Sequence, residues 1–123
     1  MKPGLSATVE LSVDEDCTAI AFHSGEVPVL ATPRLIALCE EATIRAMEDQ
    51  LEPGETTVGM RVQFDHLAPT GIGGKVRAEA TLEKVEGRRL TFTVSVSDSR
   101  GLVGAGKITR VIVNTDRFLD KMH

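Results

Sequence analysis

Glu40 is the residue whose surroundings look most like chemistry. It lies in the most apolar part of the chain, directly after Leu38-Cys39. A carboxylate drawn partly out of water is uncommon and tends to work, as a nucleophile or as a base that activates water. The competing reading puts Glu40 at the edge of the apolar stripe, in water or paired with an arginine. Residue type and position alone divide the two evenly. On a helix Glu41 points about 100° away, so one of the pair can be solvated while the other is not. His66 ends an alternating run just before Leu67-Ala68-Pro69. A histidine there can carry protons, although a core histidine held by a backbone carbonyl is the commoner case. Thr32 stands at the head of a helical stretch, where the simplest role for its hydroxyl is an N-cap.

Other chemistries find little support. His23, His66 and His123 lack metal-ligand spacing and there is no Cys-x-x-Cys, so no metal is expected. Gly71-Ile72-Gly73-Gly74 does not join a strand to a helix, which argues against a phosphate-binding loop. Cys17 and Cys39 are expected to be reduced structural thiols. A nucleophilic Cys39 would need a nearby histidine or cation.

One long helix must position these groups. In Ala31–Gln50 the residues Leu35, Leu38, Ala42 and Ala46 recur at helical spacing, and Ile36, Ala37 and Cys39 widen the stripe. Thr32 and Pro33 mark its start, and Leu51-Glu52-Pro53-Gly54 its end. Residues 7–13 alternate as a half-buried strand, with Ala7, Val9, Leu11 and Val13 on one face. Asp14-Glu15-Asp16 breaks it, and Cys17–Phe22 reads as a second strand or a bent continuation of the first.

From Thr56 onward the period is two. Val58, Met60, Val62 and Phe64 share one face, opposed by Gly59, Arg61, Gln63 and Asp65. The next strand presents Val76, Ala78, Ala80 and Leu82, and the one after it Leu90, Phe92, Val94 and Val96. Glu86-Gly87 and Asp98–Gly101 are turns. Leu102–Val113 is the last strand, with Gly104 and Gly106 as bulges or points of close approach. Asn114–His123 is a short polar tail with room for one helical turn. Strands segregated from a single helix, and joined by short turns, predict an α+β fold in one domain spanning residues 1–123.

Composition narrows the partners. A net charge of −4 argues against a nucleic-acid surface, but leaves room for a phosphorylated ligand held by a few local cations. No segment approaches the length of a membrane span and the N-terminus has no apolar signal region, so the expected location is the cytoplasm.

Taken together, these residues resemble a known family. Ala31-Thr32 followed by Glu40, then Leu51-Glu52-Pro53-Gly54-Glu55, Gly59, His66-Leu67-Ala68, Val85-Glu86-Gly87-Arg88-Arg89-Leu90 and Gly104-Ala105-Gly106, are similar to the fluoroacetyl-CoA thioesterase-like branch of the hotdog-fold thioesterases. No single motif is specific, but their order and spacing are, from about residue 30 to 113. The resemblance implies a hotdog fold, one long central helix wrapped by a curved antiparallel sheet of about five strands. It implies a homodimer, or a tetramer of paired dimers, that hydrolyses a small or medium acyl-CoA. Thr32, Glu40 and His66 would be catalytic, and Gly59 and Arg110 would contact substrate. No cofactor is implied, CoA being part of the substrate. The segment before the helix, His23–Leu30, has only Phe22 as a neighbouring aromatic and leaves the acyl group open. The alternative is a non-catalytic acyl-CoA-binding module with a regulatory or assembly role; a hotdog hydratase would need an Asp and a His near the helix, a pair not found.

Thr32 and Glu40 are eight residues apart, roughly 12 Å along a straight helix, and cannot bond directly within one helix. A site shared across a two-fold axis is therefore expected. A bent helix, or contact of only one of the two with the reacting carbonyl, are the other options.

Overall fold

The computed structural model describes all 123 residues. Strand β1 (Ser6–Ser12) is followed by helix α1 (Thr32–Met47), four strands, β2 (Glu55–His66), β3 (Lys75–Glu86), β4 (Arg89–Asp98) and β5 (Gly101–Asn114), and a short helix α2 (Thr115–Asp120). The five strands form one antiparallel sheet in the order β1-β3-β4-β5-β2. Helix α1 packs chiefly over β1 and β3. Leu35, Leu38, Cys39 and Ala42 meet Val76, Ala78, Ala80, Leu82, Leu90, Phe92, Val94 and Val96 in one core. This is the hotdog arrangement that the family resemblance implies.

The turns follow from residue chemistry. Gly87 takes a positive φ of 62° between β3 and β4. Between β4 and β5, Asp98 Oδ1 accepts from the backbone N–H of Arg100 (2.8 Å) and of Gly101 (3.2 Å). Gly106 and Gly104 mark close approach. A Cβ on Gly106 would collide with the Gln63 backbone, and one on Gly104 would lie 2.5 Å from the Phe64 ring. Asn114 caps α2 by accepting from Arg117 N at 3.0 Å.

Five expectations change. Cys17–Phe22 is not a strand. Asp14 instead caps a short 3-10 turn over Glu15–Cys17, accepting from Asp16 N (3.0 Å) and from the Cys17 thiol (3.3 Å). The acidic break is itself the structure, and only an isolated bridge from Thr18 to Leu30 follows. At the helix head, Ala31 is the N-cap residue and its carbonyl accepts from Leu35 N at 3.0 Å. Thr32 is the first helical residue, so its hydroxyl is not used as a cap. The α-helix ends at Met47, and Glu48–Gln50 tighten into a 3-10 turn. Ala37 is exposed and does not widen the stripe.

The last change matters most. β2 does not alternate evenly. Gly59 pairs with Arg110 and Arg61 with Thr109, so Met60 is an extra residue in the ladder. That bulge switches the strand's faces. Thr57 and Gly59 now share the inner face with Val62, Phe64 and His66, opposite Ile112, Arg110, Ile108, Gly106 and Gly104. Val58, expected to face inward with Val62, is turned to the other face.

Candidate active site

Two clusters lie along α1. The first is at its head. Thr32 Oγ1 is 2.7 Å from His66 Nδ1, joining the helix start to the end of β2. The chain leading into the helix is tied down by backbone bonds from Leu30 N to Thr70 O and from Ala31 N to Cys17 O, both 2.8 Å. Burial lowers the His66 pKa below its ordinary 6.5, with the Ala68 backbone opposing, so the ring is neutral at neutral pH. His66 Nε2 is buried without a hydrogen-bond partner. Thr32 is exposed and is the member of the pair that meets solvent. Both residues line an open cavity of about 310 Å³, whose walls include Val27, Val29, Leu30 and Leu67.

The second cluster is built around Glu40, whose side chain is 36% exposed and ion-paired. Both readings of this residue are thus partly met. Arg110 Nη1 lies 3.4 Å from Glu40 Oε2. Arg110 itself is 5% exposed. Its Nε donates to Thr57 Oγ1 (2.9 Å) and its Nη2 to the Thr57 carbonyl (3.0 Å). Burial lowers the arginine's pKa from its ordinary value, and Glu40 opposes that shift; a guanidinium stays charged under these conditions. The arginine expected at the substrate is therefore engaged by the protein, fixed at Thr57 and reaching one oxygen of Glu40. Gly59 completes the cluster, since a Cβ there would stand 2.8 Å from Glu40 Oε2.

Glu40, Gly59 and Arg110 thus come together, as do Thr32 and His66. Thr32 and Glu40 remain apart, about 12 Å along and about 80° round one helix, and each bonds to a different partner. Thr57 was not legible as a site residue, because nothing distinguishes it from other strand threonines. A signal for the bulge did exist in Gly59, a glycine inside a strand. Cys39 is not a nucleophile of this site. Burial, reinforced by Glu40, pushes its thiol up to about 12 and keeps it protonated. Among all residues there is no cluster of His, Cys, Asp or Glu suited to a metal ion.

A family model described as fluoroacetyl-CoA-specific thioesterase matches residues 13–116. The fluoroacetyl-CoA thioesterase of Streptantibioticus cattleyicolor is 38% identical over 94 residues, covering 76% of this chain and 68% of that protein. A solved structure of a point variant of the fluoroacetyl-CoA thioesterase, in complex with acetyl-CoA, superposes with a TM-score of 0.93 at 31% identity, covering 99% of this chain and 96% of that one. A thioesterase superfamily member from Thermus thermophilus gives a TM-score of 0.91 at 29% identity over 98% and 90% of the two chains.

Proposed function

The chain belongs to the fluoroacetyl-CoA-specific thioesterase family and hydrolyses acyl-CoA thioesters, and we propose that it does so on a small or medium acyl group with Glu40, His66 and Thr32. The observation that carries the residue assignment is the ion pair of Glu40 with buried Arg110. Such a carboxylate is held in one orientation, with one oxygen left for water.

In this reading Glu40 takes a proton from water as the water oxygen attacks the thioester carbonyl carbon. The helix-head N–H groups near Thr32, or the Gly59 N–H, stabilise the oxyanion. The C–S bond then breaks, and the departing thiolate takes the proton that Glu40 removed from the water, while the Thr32 hydroxyl, oriented by the neutral His66 ring, donates a hydrogen bond to the leaving sulfur. The acyl chain occupies the cavity lined by Val27, Val29 and Leu30. The reaction draws on water and side chains alone, with no cofactor and no metal. Direct attack by Glu40, passing through an anhydride, would use the same geometry.

Two copies supply one site, Glu40 from one and the Thr32–His66 pair from the other. What supports this is the 12 Å separation along α1 and the open edge of β2, where Met60 and Val62 are 43% and 39% exposed. We place the homodimer, alone or paired into a tetramer, in the cytoplasm, and we read residues 1–123 as one functional unit. No helix is long and apolar enough to cross a membrane.

A second reading is favoured by the 2.7 Å contact between Thr32 and His66. A hydroxyl at that distance from a neutral imidazole is arranged like a nucleophile with its base, which would give an acyl-threonine intermediate. Thiol release from a panel of acyl-CoAs, with Glu40→Gln as control and mass spectrometry of the quenched enzyme, separates the readings. The first requires activity in wild type and loss in Glu40→Gln, with no acyl group on Thr32. Equal turnover by wild type and Glu40→Gln removes it.

A further inference from the structure

The sheet end opposite the Thr32–His66 pair carries a second cavity, of about 400 Å³, between the end of β5, the β3–β4 turn and α2. We propose that it seats the phosphate-bearing nucleotide of the acyl-CoA, held by Arg88, Arg117 and Lys121. The inference rests on the acyl-CoA reading and adds to it a binding site outside the reacting groups.

The charge distribution points this way. The chain as a whole carries −4, yet the walls of this cavity include three cations and no acidic residue. Arg117 and Lys121 are four apart on and just after α2, so they share a face, and like charges at that spacing repel. Neither forms an ion pair. Asp116 and Asp120 lie on the adjacent ridge and do not line the cavity. A bound polyanion would remove the repulsion.

Arg88 is positioned in advance. Its Nε donates to the Ile112 carbonyl (3.0 Å) and its Nη2 to Glu55 Oε2 (3.0 Å). A guanidinium has five N–H donors, so those remaining can meet a phosphate. Phe118, 36% exposed, gives a ring on which a purine can stack.

The spacing also fits. Ile112 and Asn114 line the cavity two and four residues beyond Arg110, so it starts about 7 Å and extends about 13 Å along β5 from the Glu40–Arg110 pair. The pantetheine arm between thioester and diphosphate spans roughly 15 Å, counting two extended amide units and their flanking carbons.

The test compares wild type with Arg117→Glu/Lys121→Glu, and with the milder Arg117→Gln/Lys121→Gln should the reversal impair folding. Calorimetry with CoA and with 3′,5′-ADP reads the cavity whatever acyl group the enzyme prefers. The proposal expects both ligands to bind wild type and to weaken about tenfold or more in the variants. In kinetics, KM for acetyl-CoA rises while kcat holds, and hydrolysis of acetyl-N-acetylcysteamine, which lacks the nucleotide, is unchanged. Equal CoA affinity in wild type and variants overturns the proposal, as does an equal loss on both thioesters. Failure of the thioesterase reading looks different, because wild type would then bind CoA and release thiol from neither substrate.

Discussion

Arg110 is the residue through which the candidate site is organised. It is buried, held by the hydroxyl and the carbonyl of Thr57, and directed at Glu40. Removing the guanidinium leaves the half-buried Glu40 without its ion partner and Thr57 without its donor, so Arg110→Met should lower both stability and activity. Thr57→Val separates the two effects. It keeps shape and removes one bond to the guanidinium, so kcat should fall by about tenfold or more with the fold retained, and Thr57→Ser should restore it. His66 predicts a pH dependence. Its folded pKa lies below the ordinary 6.5, so the unfolded chain binds a proton more readily. The stability tied to this residue is present above pH 6.5 and is lost as pH falls through that value toward the folded pKa. Urea denaturation across pH 7 to 5 reads this, and the His66→Asn variant should show a shallower fall. Cys39, with its thiol raised to about 12, should resist iodoacetamide in the native enzyme, and Cys39→Ala should stay active.

At the scale of elements, the Met60 bulge converts a strand into a site wall. It brings Gly59 and Thr57 to the inner face and so brings Arg110 opposite Gly59 to Glu40. Deleting Met60 takes out the extra residue and leaves Thr57, Gly59, Val62 and Phe64 on the same face, so β2–β5 pairing and turnover should both survive, as circular dichroism and thiol release would report. Gly59→Ala would push on the carboxylate end of Glu40, a flexible group, so its cost should fall on activity. Gly106→Ala meets the Gln63 backbone, so its cost should fall on stability, by about 1–3 kcal/mol in urea denaturation. The helix, the strand faces of β3 and β4 and their turns were legible in sequence because periodicity and glycine placement are local properties. The bulge and the Thr57–Arg110 bond were not, because an extra residue in a ladder shows only against its partner strand. The 3-10 turn at Asp14 was missed for a related reason. A carboxylate that caps its own backbone looks in sequence like a charged interruption. For the site, Glu40, His66 and Thr32 could be singled out by residue type and position, but only the family resemblance raised them above purely structural roles, and their pairing came from the fold.

At the scale of the whole molecule, the two clusters on α1 face different ways, and a single copy holds Glu40 and the Thr32–His66 pair apart. β2 is an edge strand of twelve residues with Met60 and Val62 open to solvent, the kind of edge that proteins cover. Val62→Asp should yield monomers by sedimentation and should lose activity with them. The shared site itself is tested most directly by complementation. Glu40→Gln and His66→Ala, each inactive alone, are unfolded together, refolded as a mixture and assayed for thiol release. A mixed dimer with sites shared between copies has one intact site, so the mixture should recover about a quarter of wild-type activity, half the dimers being mixed and half their sites intact. A mixture as inactive as its two components, with mixed dimers shown by mass spectrometry to have formed, would contradict the shared site.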